Sequence, residues 1–514
     1  MNDLRKWPCV IFWLLLIALY SYWTWTSQLN DFGGDSAVYL LTAQHWSFFG
    51  EANPAASQFA AATSFPPLYP LLLAVFTAGN AWLLAHQVTA LCGVGSLFVL
   101  WRCLRVAEVP LLESLVAIAL LALVPGFYLQ ALYIHSEFLF LLFTSICLYA
   151  VARLEREARA SFIVLASLSA TAAYLTRSVG LSMVAALVVY VLVRRSKRDW
   201  LVVLLLTVAP VFAWMLFGQP KGGGYLASWT ERLEMIGLPD VMTILTTQVA
   251  AIVDGYRQNL VGQDSTNTPV VVLFSIICIA AWGSRLWQRK IDALFLGAYF
   301  AILIIWPFSS ERVRFLLPAI PILVAQSLLA LHSLKFNPLN RSSLNSLLGV
   351  RILLLIVAIM ILPTLAVATQ RHFDSMPPEL EGFRQSPEWY GTGSRDERLT
   401  AIFVPQRLQA GFEELRMHVP LNECIYSIKP ALVGLFAQRI SHRPPLPNST
   451  LGLRLDRTAV ECRYVHISPL VSPTYPEPYY PIGSWADGMD TIHVTRLIES
   501  NTKSGVATML TRIR

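Results

Sequence analysis

The sequence predicts an α-helical polytopic membrane protein of about eleven spans, with a small α/β domain outside the membrane at its C-terminal end. Three observations carry this. Hydrophobic residues make up 55% of the chain and charged residues only 14%, with a mean hydropathy of +0.53, a balance foreign to ordinary soluble domains. Apolar runs long enough to approach the roughly 20 residues needed to cross the hydrocarbon recur through the first 370 positions. After that point charges, prolines and short alternating runs take over.

Taken in order, the segments are 9–26, 81–101, 111–132, 136–152, 160–176, 179–193, 200–217, 269–284, 291–308, 314–333 and 352–369. The first follows Arg5 and Lys6 in the manner of a signal peptide, but it has no small-x-small cleavage site and is longer than an ordinary h-region, so it reads as a retained anchor. Basic residues exceed acidic ones, 39 against 32, for a net charge of +7. They fall in short clusters between apolar runs, which is a topology signal rather than a nucleic-acid footprint. Arg102/Arg105, Arg153/Arg156/Arg159, Arg194/Arg195/Lys197/Arg198, Arg285/Arg289/Lys290 and Lys335/Arg341/Arg351 all lie on the side of the amino terminus. That side is expected to be cytoplasmic. The loop 27–80 contains no Lys or Arg and is expected on the opposite, extracytoplasmic side.

The expected domains are therefore 1–370, the membrane domain with its first loop at 27–80, and 371–514, an extracytoplasmic α/β domain. In the latter, Cys424-Ile425-Tyr426-Ser427-Ile428 and Tyr464-Val465-His466-Ile467 read as strands. Of 7 cysteines, Cys9, Cys92, Cys103, Cys147 and Cys278 lie in or beside apolar spans and read as small core hydrophobes. Cys424 and Cys462 share the outer domain, where an oxidising compartment permits a bridge without requiring one. Tyr475, Tyr479, Tyr480 and Trp485 interrupt a proline-rich loop there, either as packing or as a surface that stacks on sugars.

The chain contains no G-x-x-x-x-G-K-[ST], no G-x-G-x-x-G beside a strand, no C-x-x-C and no H-E-x-x-H, which argues against nucleotides as direct substrates. Lys221-Gly222-Gly223-Gly224 lacks the strand and helix of a phosphate loop and reads as a turn. What topology gathers at one face is a set of polar residues at the ends of spans: Asp35, Tyr39, His135, Glu137, Arg177, Glu311, Arg312 and Arg314. Ionisable groups near membrane depth are costly, so a shared depth implies a charged cleft. Each has a plainer role. Asp35 can cap an amphipathic interfacial helix over 36–49. The arginines can snorkel to the interface, and His135 can be an ordinary interfacial histidine.

Asp35-Ser36-Ala37-Val38-Tyr39, Phe65-Pro66-Pro67-Leu68-Tyr69-Pro70, Ser136-Glu137, Tyr174-Leu175-Thr176-Arg177 and Arg314-Phe315-Leu316-Leu317-Pro318 recur in an order that resembles polytopic family-C glycosyltransferases. The resemblance is to the bacterial branch of the protein mannosyltransferase and aminoarabinose transferase superfamily, over about residues 1–370, and Ser427-Ile428-Lys429-Pro430 resembles the outer module of bacterial members. It implies transfer of a sugar from a polyprenyl-phosphate donor to an acceptor hydroxyl outside the cytoplasm, with inversion. It further implies Asp35 as general base. Arg177, Arg314 and Arg312 are then expected at the donor phosphate, and Tyr39, Glu137, His135 and Tyr69 along the substrate cleft. Phe65 stands where aminoarabinose transferases have lysine and Val38 where they have arginine, so donor-phosphate recognition is expected to differ from theirs. The expected partners are that lipid donor, an acceptor glycan, lipid or protein, and the bilayer, with no nucleic acid. No cofactor is expected; a divalent metal shared by Asp35, Glu137 and His135 is the alternative. Two further classes fit polar residues facing one side of a bundle: a transporter, although no inverted repeat is visible, and a non-catalytic scaffold for envelope-glycan assembly.

Overall fold

The computed structural model describes residues 7–26, 28–29, 31–48, 53–76, 82–218, 240–262, 268–306, 312–333, 343–391, 393–445, 461–471, 475, 478–481, 485, 488–499 and 503–513. Lys221 to Gly224 and Glu311 lie outside this set. The chain divides into two units: Met1–Trp25, Ser64–Tyr69 and His86–Asp374 form one, and Thr26–Thr63, Pro70–Ala85 and Ser375–Arg514 the other.

The protein is an α-helical multi-pass membrane protein with a small C-terminal sheet. A helix occupies every segment expected to span. Among the described residues, six helical stretches are both long and apolar enough to cross a bilayer by themselves: Trp82–Val106, Glu137–Glu157, Lys197–Phe217, Thr268–Trp287, Arg312–Ser333 and Leu347–Phe373. Shorter apolar helices stand at Trp7–Trp23, Leu111–Ala122, Ala160–Thr176, Ser178–Arg194 and Ile291–Ile305. Segment 111–132 is not one helix: it stops at Ala122 and restarts at Pro125, which sits in the first turn of a short helix to Gln130. The amino-terminal helix is tied into the bundle, Tyr20 Oη donating to the Ala122 carbonyl at 2.5 Å and Trp23 Nε1 to that of Tyr128 at 3.0 Å.

A π-turn at Leu204–Val208 interrupts the helix Lys197–Phe217 just before Pro210. Backbone groups released inside a membrane must find other partners. Here Thr171 Oγ1 donates to the Leu206 carbonyl at 2.7 Å and Thr207 Oγ1 to that of Ser167 at 3.0 Å, joining the interrupted helix to its neighbour Ala160–Thr176.

In the second unit, helix Asp35–Trp46 is buried on most of its positions, including Tyr39, Leu40, Leu41, Thr42, Ala43 and Gln44. An amphipathic surface helix would leave one side to solvent, so this expectation is replaced by a packed internal helix. It lies against helices Pro54–Ala62 and Pro430–Ala437. Asn53 joins all three: its Oδ1 accepts from Ala55 N at 3.0 Å as a helix cap, and its amide donates to Gln44 Oε1 at 3.0 Å and to the Gly434 carbonyl at 3.1 Å. A Cβ on Gly434 would stand 3.0 Å from both Ala55 Cβ and a ring carbon of Phe59. A larger residue there would require these neighbours to give by a few tenths of an ångström.

The sheet has five strands in the order β2-β1-β3-β5-β4, with β1 Ile425–Tyr426, β2 Ser441–His442, β3 Tyr464–Ile467, β4 Met489–Glu499 and β5 Lys503–Ile513. β1 runs parallel to β2 and β3, whereas β5 is antiparallel to β3 and β4. Helix Pro430–Ala437 makes the crossover that a parallel β1–β2 pair requires. Helix Arg395–His418, opened by a Ser394/Glu397 capping box, covers β4 and β5. Cys424 and Cys462 form a disulfide beside β1 and β3. The aromatic loop packs inward: Tyr475, Tyr480 and Trp485 are buried, and the two tyrosine hydroxyls donate to the carbonyls of Pro444 and Pro445. Tyr479, between them, is half-buried.

Candidate functional site

The helical unit concentrates charge at the start of helix Glu137–Glu157. Glu137 is the first residue of that helix, and its side chain is 1% exposed. Arg177 Nη1 donates to Glu137 Oε1 at 2.5 Å, and Arg314 Nε donates to the same oxygen. The guanidinium side chains are only 13% and 11% exposed. Glu137 Oε2 has no hydrogen-bond partner among the described residues. Ser136 stands at the helix N-cap position, but its Oγ accepts from Arg177 Nη1 at 3.1 Å instead of capping the helix. Both guanidiniums also face the Phe315 ring, with Cζ atoms 5.1 Å and 5.8 Å from its centroid.

Local sequence explains how each group arrives there. Arg177 is the C-cap of helix Ala160–Thr176, with φ −149° and ψ 137°, so its side chain leaves the helix at the apex of a hairpin. Gly180 closes that hairpin, its N–H donating to the Arg177 carbonyl at 2.8 Å. A Cβ at Gly180 would lie 2.6 Å from Ala173 carbonyl atoms, so the tight return depends on glycine. Arg314 comes from the short helix Arg312–Leu316, held by Tyr299, whose hydroxyl donates to the Phe315 carbonyl, and by Asn259, whose amide donates to the Val313 carbonyl at 2.7 Å.

Two guanidiniums gathered on one carboxylate oxygen present the kind of charge-assisted, fork-shaped donors that a phosphate oxygen accepts. The sequence placed Arg177 and Arg314 together but did not anticipate that both would bridge through Glu137.

The other expected residues divide. His135 is buried next to the trio; its Nδ1 lies 2.7 Å from Gln130 Nε2 and its ring stacks on Tyr133 at 5.1 Å. Arg312 is 2% exposed and turns away into the protein, donating to Gln248 Oε1 and, at 2.8 Å, to the Trp306 carbonyl. Its Nε and Nη1 have no partner among the described residues. Tyr69 is buried with its hydroxyl 2.7 Å from Thr89 Oγ1, a core contact between helices.

Asp35 and Tyr39 belong to the second unit. The N-cap of their helix is Gly34, at φ 108°, a left-handed conformation suited to glycine. The capping carboxylate is Asp31, which accepts from Gly33 N at 2.7 Å through Oδ1 and from Ser36 N at 2.9 Å through Oδ2. Asp35, half-buried in the first turn, is thus not the cap that its sequence position allowed. Lys429, from the Ser-Ile-Lys-Pro motif, donates through Nζ to the Gly33 carbonyl at 2.8 Å and steadies the same turn. Tyr39, one turn on, is buried.

Residues that sequence reasoning missed are Gln248, Asn259 and Tyr299. The first two lie on helix Asp240–Val261, whose polar residues hid it from a search for apolar spans. The metal-competent side chains that meet among the described residues are Cys424, His442 and Cys462, and the two cysteines are already joined as a disulfide.

Comparison with solved structures finds the chain similar to ArnT from Cupriavidus metallidurans bound to undecaprenyl phosphate, at 14% identity and a TM-score of 0.51, covering 98% of each chain. Apo ArnT from the same organism is similar at 14% identity and a TM-score of 0.49 over 99% of this chain and 98% of that one. The archaeal oligosaccharyltransferase AglB from Archaeoglobus fulgidus, in complex with an inhibitory peptide and a dolichol-phosphate, is 13% identical at a TM-score of 0.48, over 90% of this chain and 70% of that one. No protein-family model and no curated protein sequence matches the chain. The fold of the undecaprenyl-phosphate-bound ArnT structure is shared end to end, in agreement with the family-C resemblance carried by the sequence motifs.

Proposed function

We propose that this chain is a membrane glycosyltransferase that moves a sugar from a polyprenyl-phosphate-linked donor to an acceptor hydroxyl on the extracytoplasmic side, with inversion at the anomeric carbon. The observation that carries the proposal is the buried Arg177–Glu137–Arg314 trio at the end of a membrane bundle. A phosphodiester donor brings the negative charge and the acceptor oxygens that two adjacent guanidiniums can hold. The shared fold with a protein solved bound to undecaprenyl phosphate supports the same ligand class.

The chemistry follows from the residues. The acceptor oxygen attacks the anomeric carbon on the face opposite the phosphate, and the carbon–oxygen bond to phosphate breaks with its electron pair leaving on the phosphate. That group gains charge as it departs, and Arg177 and Arg314 stabilise it. Asp35 takes the acceptor's proton as general base. Asp35 stands in the first turn of its helix, where Asp31 rather than Asp35 supplies the cap. Arg312 serves the site indirectly, by fixing the short helix that presents Arg314. No cofactor takes part in these steps.

The test has two arms. Undecaprenyl phosphate is titrated against detergent-purified wild type, Asp35→Asn and Arg314→Ala. Asp35→Asn should retain affinity, and Arg314→Ala should lose it through the forfeited charge-assisted hydrogen bond. Mass spectrometry of envelope fractions from cells with the protein, without it, and with Asp35→Asn should then show one hexose or pentose adduct that only the wild type supports, with turnover lowered about 10²–10⁴-fold by loss of the base. An adduct undiminished in Asp35→Asn cells would point to a transporter or scaffold instead.

A further inference from the structure

At the far end of the helix that begins with Glu137, the helical unit forms a cavity with a charged rim and a largely apolar wall. It lies about 27 Å from Glu137 along the helix axis, taking 1.5 Å per residue over the 18 positions to Glu155. The cavity holds about 320 Å³, at the lower end for small-molecule sites, between Glu137–Glu157, the C-terminal part of Trp82–Val106, the turn from Arg285 to Asp292 and helix Ala319–Ser333. Its charged lining is Arg156, Arg285 and Lys290 with Glu155 and Asp292. Arg285 is locked to Asp292 at 2.5 and 3.0 Å, Arg156 reaches Glu108 at 3.2 Å, and Lys290 reaches Glu155 at 2.7 Å, where Arg194 also binds at 3.0 Å, so Glu155 answers two cations and the cluster keeps one positive charge in excess. Leu100, Leu148, Val151, Ile322 and Leu329 form an apolar wall.

One group on this lining lacks what burial demands. Gln326 is 1% exposed, lines the cavity, and neither its amide nitrogen nor its amide oxygen has a hydrogen-bond partner among the described residues. A buried primary amide missing both a donor and an acceptor contact costs free energy until something supplies them. A hydroxyl does so in full, because it both accepts and donates. The cavity thus combines an excess cation for a phosphate, a buried amide for a hydroxyl and an apolar wall for hydrocarbon.

We propose that this cavity binds the head group of an anionic glycerophospholipid, Lys290 and its neighbouring cations facing the phosphate, Gln326 engaging a head-group hydroxyl and the apolar wall taking the upper acyl chain. The site stands apart from the Arg177–Glu137–Arg314 trio and holds whether or not the chain transfers sugars. A lipid of this kind would lock the charged ends of four helices together.

The experiment uses the full chain in a non-ionic detergent and follows Tm and native mass spectra during titration with dioleoyl-phosphatidylglycerol, dioleoyl-phosphatidylcholine and glycerol 3-phosphate. Phosphatidylglycerol should bind stoichiometrically and raise Tm, and the other two should not. Gln326→Leu, which keeps the volume and suits a membrane interior, should fold and weaken phosphatidylglycerol binding about tenfold. Lys290→Ala should weaken it as well, and undecaprenyl phosphate binding should be unchanged in both. Equal binding of phosphatidylcholine would overturn the charge argument. Binding of glycerol 3-phosphate as strong as that of the lipid would reassign the site to a free phosphate ester. Unaltered lipid binding in Gln326→Leu would mean that water alone satisfies the amide, and the proposal would fail.

Discussion

At the scale of single residues, the site is a matter of which carboxylate does what. Asp31 and Asp35 stand four positions apart in a glycine-rich turn, and in the sequence only Asp35 reads as the cap. The hydrogen bonds from Gly33 N and Ser36 N assign it to Asp31. Glu137 is the opposite case: it read as one member of a cleft, whereas it is the bridge between two arginines, 40 and 177 positions away in the chain. Separations of that size leave no local signature, so the bridge could not be read from spacing. It makes a definite prediction. Glu137→Gln keeps shape but removes the carboxylate that both buried guanidiniums share, and should cost about 3–5 kcal/mol of stability. The same change makes the site more positive by one charge, so undecaprenyl phosphate should raise the Tm of Glu137→Gln by more degrees than it raises that of the wild type. Equal increments in the two proteins would show that the lipid phosphate sits elsewhere.

At the scale of elements, the hairpin between Ala160–Thr176 and Leu181–Arg194 decides where Arg177 points. Gly180 has an ordinary φ of −60°, so its requirement is for space and not for a special backbone conformation. Alanine there would press its methyl against the Ala173 carbonyl group and the Tyr174 Cα at 2.6 Å, forcing the two helices apart. Gly180→Ala should cost about 1–3 kcal/mol, as overpacking does. It should also weaken undecaprenyl phosphate binding, because Arg177 moves with the turn. Gly283→Ala is the control: nothing lies within 4 Å of a Cβ there, so helix propensity alone acts and stability should hold or rise. A lipid affinity in Gly180→Ala equal to that of Gly283→Ala would separate Arg177 from the phosphate. The apolar spans were legible because runs of Leu, Val, Ile and Ala announce themselves by length. Helix Asp240–Val261 was not, since Gln248 and Asn259 face inward to bind Arg312 and the Val313 carbonyl, and inward polar groups lower the very hydropathy by which spans are found. The break before Pro125 was visible as a proline but lay inside one continuous apolar run.

At the scale of the whole molecule, the change of composition near residue 370 marked a real change of architecture, from apolar helices to a five-stranded sheet with covering helices. It did not reveal that residues 26–63 and 70–85 pack with the C-terminal region, because Asn53 and Gly434 meet through contacts 381 positions apart. Two units so unlike in their interiors should not unfold as one. The C-terminal unit buries His466 completely, with Phe412 at 4.5 Å between ring centroids and Ser427 Oγ at 3.4 Å. Burial holds its imidazole down to about 3, against about 6.5 in an unfolded chain. Between those values the unfolded state binds a proton that the folded state refuses, so unfolding free energy rises with pH and is lost as pH falls from about 6.5 toward about 3. Glu388 works in the opposite direction, since burial raises its carboxyl and the folded unit takes up that proton more readily. Glu388 stands outside β3, so the protection of that strand reports on the histidine. Hydrogen exchange on the full chain should therefore show residues 461–471 losing protection between pH 6 and pH 4, while helix Glu137–Glu157 keeps its own. His466→Leu, which cannot titrate, should flatten that dependence in the sheet and leave the helix as it was. Persistence of the acid loss in His466→Leu would assign it to other groups, and simultaneous loss in both units would mean that the two unfold together after all.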